Sequence, residues 1–135
     1  MTQTITHGYQ QLLDEALAAV TTVDAEAAKV MQAREDVVLV DLRDPRELER
    51  EGKIPGAFHC PRGMLEFWID PASPYHKPVF AQDKTFVFFC AAGWRSALSA
   101  HTAQKMGLKP VAHIDGGFAA WREAGGQIEK PLAQP

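Results

Sequence analysis

Cysteine is scarce in this chain of 135 residues: Cys60 and Cys90 are the whole supply. Two thiols do not make the disulfide framework of a small secreted domain. Long apolar runs are missing too, and no stretch approaches the roughly 20 residues that a membrane-spanning helix needs. Neither sign of charge dominates. Fourteen Lys and Arg stand against seventeen Asp and Glu, a formal net charge of −3. The basic residues form no stripe interleaved with aromatics, so no nucleic-acid surface is expected. Residues Met1 to His7 lack the basic start and apolar centre of a secretory signal, and the expected compartment is cytoplasmic and reducing. There is no internal repeat and no low-complexity tract. What remains is the composition and length of one globular domain, 46% hydrophobic and 23% charged.

Along the chain, Tyr9, Leu12, Leu13, Ala16, Leu17 and Val20 recur at helical spacing and predict an amphipathic helix over 9–20. Asp24 is placed to cap a second helix, Ala25 to Gln32. The run Val37-Val38-Leu39-Val40 predicts a strand covered on both faces. Asp44, Pro45 and Glu47 follow it as cap, first helical residue and closing member of a capping box. Further strands are expected at Ala57 to His59, Thr85 to Phe89 and Val111 to Ile114, and helices at Pro61 to Ile69, from Ser96 onward, and at Phe118 to Glu123. The prolines of Asp70 to Pro78 predict an irregular, fairly stiff surface segment. Residues from Gln127 are polar and expected to fray. Strands alternating with helices argue for an α/β sandwich with a mostly parallel sheet.

The stretch that carries chemistry is Phe86 to Ser96. An apolar strand ends at Cys90. The small loop Ala91-Ala92-Gly93 follows, then Trp94, Arg95 and Ser96, where a helix opens. Ligands of such sheets sit at the carboxyl ends of strands, which is where Cys90 falls. Small residues let successive amides from Ala91 to Ser96 curl inward, and Gly93 is the natural place for a positive φ. Converging amides, a helix start and a guanidinium all favour an anion at the centre, whether thiolate, persulfide or oxyanion. An inert core cysteine at a strand end is the plain alternative.

Cys90 to Ser96 resembles the active-site loop of a single-domain rhodanese, a sulfurtransferase. Three further segments, in the right order, carry the same resemblance. Val38 to Leu48 is similar to its Asp-x-Arg strand end and short helix, and Gly52 to Ala57 to its Gly-His-Ile-Pro-Gly-Ala turn, with Lys53 in place of the His. Asp115 to Trp121 is similar to its closing Gly-Gly-x-x-x-Trp. The resemblance implies a three-layer α/β sandwich with a mostly parallel five-stranded sheet flanked by helices. It divides the chain into a helical extension at 1–22, a rhodanese-like domain at 23–128 and a tail at 129–135. It also implies a double displacement: Cys90 takes a sulfane sulfur from thiosulfate or another persulfide donor and passes it to cyanide or a thiol. Arg95 would supply charge, the amides of Ala91, Ala92, Gly93, Trp94, Arg95 and Ser96 would hold the persulfide, and Asp41 and Arg43 would brace the loop or line the pocket. An ordinary capping and surface ion-pair role is the alternative for that pair. No metal or cofactor is implied.

Two other readings compete. Cysteine phosphatases and arsenate reductases of this fold have five residues between Cys and Arg, and here there are four, a ring better matched to one sulfur than to a tetrahedral oxyanion. A non-enzymatic persulfide carrier or docking module, fed by a protein donor, would use the same cysteine and could use the first helix as its docking face. Cys60 is read as a buried structural cysteine, with a resolving disulfide to Cys90 the minority alternative. His101 and His113 are read as surface or capping residues, Trp68 and Phe67 as core with a side wall of the pocket, shared with Tyr75, the alternative, Trp121 as core, and Trp94 as a rim residue shaping access or a packed indole.

Overall fold

The run Thr85–Phe89 needs no water: Phe86, Val87, Phe88 and Phe89 are all fully buried. That suits the central strand of a sheet covered by helices on both sides. The computed structural model describes residues 2–130. In chain order the elements are α1 (Tyr9–Ala19), β1 (Thr21–Val23), α2 (Ala25–Gln32), β2 (Val37–Asp41), α3 (Pro45–Glu51), β3 (Phe58–His59), α4 (Leu65–Ile69), β4 (Thr85–Phe89), α5 (Trp94–Lys105), β5 (Val111–Ile114) and α6 (Gly117–Glu123). The sheet order is β1-β5-β4-β2-β3, with every neighbouring pair parallel. This is the expected five-stranded α/β sandwich.

The alternation of β4 divides the core. Phe86 and Phe88 face one layer, with Leu65 and Ile69 of α4 and Ala100 and Ala103 of α5. Val87 and Phe89 face the other, with Ala28 of α2 and Phe118 and Trp121 of α6. The small residues of α5 let its axis lie close to the sheet. Leu13 and Ala16 of α1 are buried against Ala97 on the outside of α5, so the amphipathic first helix is used for packing.

The caps form where the sequence puts them. Ala27 N–H donates to Asp24 Oδ1 at 2.8 Å, and Asp44 and Glu47 close their box, with the Asp44 N–H donating to Glu47 Oε1 at 3.0 Å. Several expectations are corrected. Thr21–Val23 is a strand that the sequence reading left unassigned; it pairs with β5 along one edge. The stretch Pro61 to Ile69 is a 3₁₀ turn at Arg62–Met64 followed by a short α4. A 3₁₀ turn advances three residues per turn, so it resets the helical phase. Leu65 and Ile69 point inward while Phe67, expected in the core, is 54% exposed. Helix α5 begins at Trp94, two residues before Ser96. Near the other end, Lys53 and Glu129 exchange backbone bonds, with N···O distances of 2.9 and 2.7 Å, and Trp121 Nε1 donates to Gln127 O at 2.8 Å. The chain is therefore pinned as far as Glu129, against the expected fraying from Gln127, and the rest of that expectation, residues 131–135, lies outside the described residues.

Candidate active site

The parallel register brings three strand ends to one edge. Asp41 pairs with Phe89 and His59 with Asp41, so Cys90, Leu42 and Cys60 leave the sheet side by side. Cys90 is buried, and two amides of the following loop reach its sulfur. Gly93 N–H donates to Sγ at 3.1 Å and Ser96 N–H at 3.4 Å. Gly93 caps α5 with φ +111°, and a Cβ there would come to 3.3 Å from Gly116 N. Both the conformation and the close approach call for glycine. The sulfur therefore sits at the start of a twelve-residue helix with two backbone donors on it, and not in a purely hydrocarbon pocket.

The outer side of the loop is held by α6. Phe118 N–H donates to Cys90 O at 2.7 Å and Ala119 N–H to Ala91 O at 3.1 Å. Gly117 permits that approach, since a Cβ on it would overlap Cys90 O.

Arg95 turns toward α3. Its guanidinium makes a two-point bond to Glu47, Nη1 to Oε1 at 2.8 Å and Nη2 to Oε2 at 2.9 Å. The Glu47 carboxylate raises the Arg95 pKa, burial opposes this, and the Cys90 sulfur adds a smaller upward push. The same bond, opposed by burial and helped by the Asp44 amide, lowers the Glu47 pKa from 4.5 to about 2. Sequence reasoning found Glu47 only as a capping residue. The missing signal was its second carboxylate oxygen, which a capping box leaves free.

Asp41 and Arg43 are brought together beneath the loop, both nearly inaccessible to solvent, with Arg43 Nη2 to Asp41 Oδ2 at 2.8 Å and Nε to Oδ1 at 3.0 Å. Arg43 also donates to Gly52 O at 2.9 Å and lies 4.0 Å over the Phe118 ring. The surface ion-pair reading of this pair is thereby replaced by a buried one. The pair ties the β2 end, the Gly52 turn and α6 into one support.

His113 is the second residue misread from sequence. It is 2% exposed, between Thr22 Oγ1 at 3.0 Å from Nε2 and Ser96 Oγ at 3.2 Å from Nδ1. Burial lowers its pKa and the Asp115 charge opposes that. A signal was available: β5 was already read as a strand of a doubly covered sheet, so a residue in its middle belongs inside. Trp94 stands at the rim, 61% exposed, its ring 5.3 Å from that of Tyr9 on α1. Behind this pair is a pocket of about 180 Å³ whose walls include Leu13, Gly93, Trp94, His113 and Asp115. Cys60 is fully buried, and burial pushes its thiol up to about 12. Among the described residues no three His, Cys, Asp or Glu side chains cluster as metal ligands would, and no helix is long and apolar enough to cross a membrane.

A sulfurtransferase of Allochromatium vinosum is 30% identical over 113 residues, 83% of this chain and 97% of that protein. The thiosulfate sulfurtransferase GlpE of Vibrio cholerae is 28% identical over 107 residues, 79% of this chain and 92% of that one. The chain spans only 53% of a further, uncharacterized relative from Synechocystis. A solved structure from Rhodopseudomonas palustris, described as a protein of unknown function and possible tyrosine phosphatase, is 63% identical with a TM-score of 0.93, over 96% of this chain and 99% of that one. The model of the rhodanese-like domain matches residues 24–124, which take in Cys90, its loop, the buried Asp41–Arg43 pair and α6, and the chain belongs to the rhodanese-like domain family.

Proposed function

We propose that this protein is a sulfurtransferase that carries a sulfane sulfur on Cys90 as a persulfide. The single observation that carries the reading is the convergence of the Gly93 and Ser96 amides on Cys90 Sγ at the start of α5. Backbone donors and a helix start stabilise a thiolate, and the thiolate is the nucleophile. Sulfurtransferase names among the relatives support the reaction class. The name of the Vibrio protein supports thiosulfate as a donor to try first.

In the first half-reaction the Cys90 thiolate attacks the outer sulfur of thiosulfate. A Cys90–sulfur bond forms as the donor S–S bond breaks, and sulfite leaves with the bonding pair. In the second half, cyanide or a thiolate attacks the outer sulfur of the persulfide. Thiocyanate or a new persulfide departs, and the bonding pair returns to Cys90. No outside oxidant or reductant is needed. Arg95 lies near the sulfur but is shared with Glu47, so it tunes the charge of the site more than it clamps the donor.

Incubation with thiosulfate followed by intact mass measurement tests this. A gain of one sulfur, about 32 mass units, is expected on the wild type and none on Cys90→Ser, as covalent catalysis through that thiol requires. Cys60, held protonated by burial, is expected to stay unloaded. An unmodified wild type, or equal loading of Cys90→Ser, overturns the reading.

A phosphatase reading is kept because of the description given to the Rhodopseudomonas structure. Two observations count against it. Only four residues separate Cys90 from Arg95, and both Arg95 terminal nitrogens are engaged by Glu47. Turnover of an aryl phosphate with no sulfur loading from thiosulfate would reverse the ranking.

A further inference from the structure

We infer that His113 is a positioning residue for Cys90, holding through the Ser96 hydroxyl the two amides that bind the reactive sulfur. The inference rests on the reading of Cys90 as the nucleophile.

Hydrogen-bond accounting gives the chain of contacts a direction. The Ser96 hydroxyl is 3.2 Å from Gly93 O, which also accepts from Ala97 N–H, and 3.2 Å from His113 Nδ1; with its O–H given to the carbonyl, its oxygen accepts from Nδ1–H. Nε2 is then the acceptor and takes the Thr22 O–H at 3.0 Å. Neutral imidazole satisfies both neighbours in this arrangement, which matches a ring whose pKa burial pushes down. One hydroxyl, that of Ser96, therefore links the two residues whose N–H groups reach Cys90 Sγ: it belongs to one of them and grips the carbonyl of the other. His113 fixes the rotamer of that hydroxyl. The far end is anchored on β1, the edge strand contributed by the segment after α1, in register Thr22 to His113. The first strand thus reaches the sulfur through one imidazole. The charged groups near this chain are Asp115, beside His113, and Arg95, beside Cys90, the latter already paired with Glu47.

Two substitutions separate this role from simple packing. The amide of His113→Asn reaches the position of Nδ1 and keeps a partner for Ser96, losing Thr22. The amide of His113→Gln reaches the position of Nε2 and keeps Thr22, losing Ser96. Both remove the ring. The readout is the rate of iodoacetamide alkylation at Cys90 as a function of pH, followed by peptide mass spectrometry, with melting temperature measured alongside. His113→Asn is expected to alkylate at close to the wild-type rate. His113→Gln is expected to be slower by about fivefold at neutral pH, the worth of one weakened charge-assisted hydrogen bond, with its rate profile displaced to higher pH. Equal rates in the two folded variants, whether both normal or both slowed, overturn the inference. Should His113→Gln fail to fold, Ser96→Ala carries the test: a fall of similar size supports the linkage, and a wild-type profile refutes it. Alkylation requires no sulfur donor, so failure here is distinguishable from failure of sulfur loading.

Discussion

Replacing Gly117 by alanine should damage the molecule more than its small size implies. The residue has φ +59°, and the added Cβ would overlap Cys90 O and stand 2.9 Å from Ala91 C and 3.0 Å from Ala91 O. Three costs follow. Holding alanine in the left-handed region costs about 1 kcal/mol. The Cβ must push α6 from the loop, which weakens Phe118 N–H to Cys90 O and Ala119 N–H to Ala91 O, about 1 kcal/mol each when a buried bond is lost. The sum is about 3 kcal/mol. Gly125 supplies the control. It has φ +77°, with nothing within 4 Å of a built Cβ, so Gly125→Ala isolates the backbone term at about 1 kcal/mol. Denaturant unfolding of both variants, with Cys90 alkylation in parallel, is the assay. The reasoning requires Gly117→Ala to lose about 2 kcal/mol more than Gly125→Ala and to alter Cys90 reactivity, while Gly125→Ala leaves reactivity alone. Equal destabilisation would refute the claim that α6 clamps the loop through that glycine.

Two further outcomes follow from the supports of the loop. Asp41→Asn leaves the Arg43 guanidinium buried without its carboxylate, and Arg43 Nη1 already lacks a partner; a loss of about 3 kcal/mol is expected in denaturant unfolding, and a loss under about 1 kcal/mol would show that the Gly52 carbonyl and the Phe118 ring suffice. Glu47 is held at about 2 in the folded state against 4.5, so the folded chain binds fewer protons than the unfolded one between those values; its contribution is whole above pH 4.5 and disappears as pH falls through about 2. Because the Arg95 side chain is 41% exposed, solvent screening reduces that contribution to about 1 kcal/mol. Stability curves of wild type and Glu47→Gln should converge by that amount across the window, and parallel curves would be the contrary result.

The frame of the molecule was legible because burial and period speak for themselves. A run such as Phe86 to Phe89 marks an inner strand, and small residues at helical spacing such as Ala100 and Ala103 mark the face of a helix laid close to a sheet, while Ala97 packs on the other side, against α1. Cys90 was legible for a related reason: strand, small loop and helix start occur together in one continuous stretch. What escaped was whatever depends on partners distant in sequence. Thr21–Val23 is short, mostly exposed and defined only by its bonds to β5, so no local pattern marks it. His113 looked polar and peripheral because its two hydroxyl partners come from residues 22 and 96. Arg95 was read as serving the sulfur alone because Glu47, 48 positions away, looked fully employed as a cap.

These long-range contacts share a geometric consequence for the sulfur. A peptide unit is planar and trans, so a carbonyl held to one side sends the next N–H to the other. Pinning the carbonyls of Cys90 and Ala91 to α6 therefore turns the N–H groups of Ala91 and Ala92 away from α6. With the Gly93 and Ser96 amides already on Sγ, those two remain in the loop together with the first-turn amides of Trp94 and Arg95. A site that must hold first a thiolate and then a thiolate one sulfur atom longer needs two sets of donors, one for each position. Under the persulfide chemistry proposed above, that is the division the α6 clamp supplies, and on that reading Gly117, remote from Cys90 in sequence and without a side chain, helps to set where the second sulfur comes to rest.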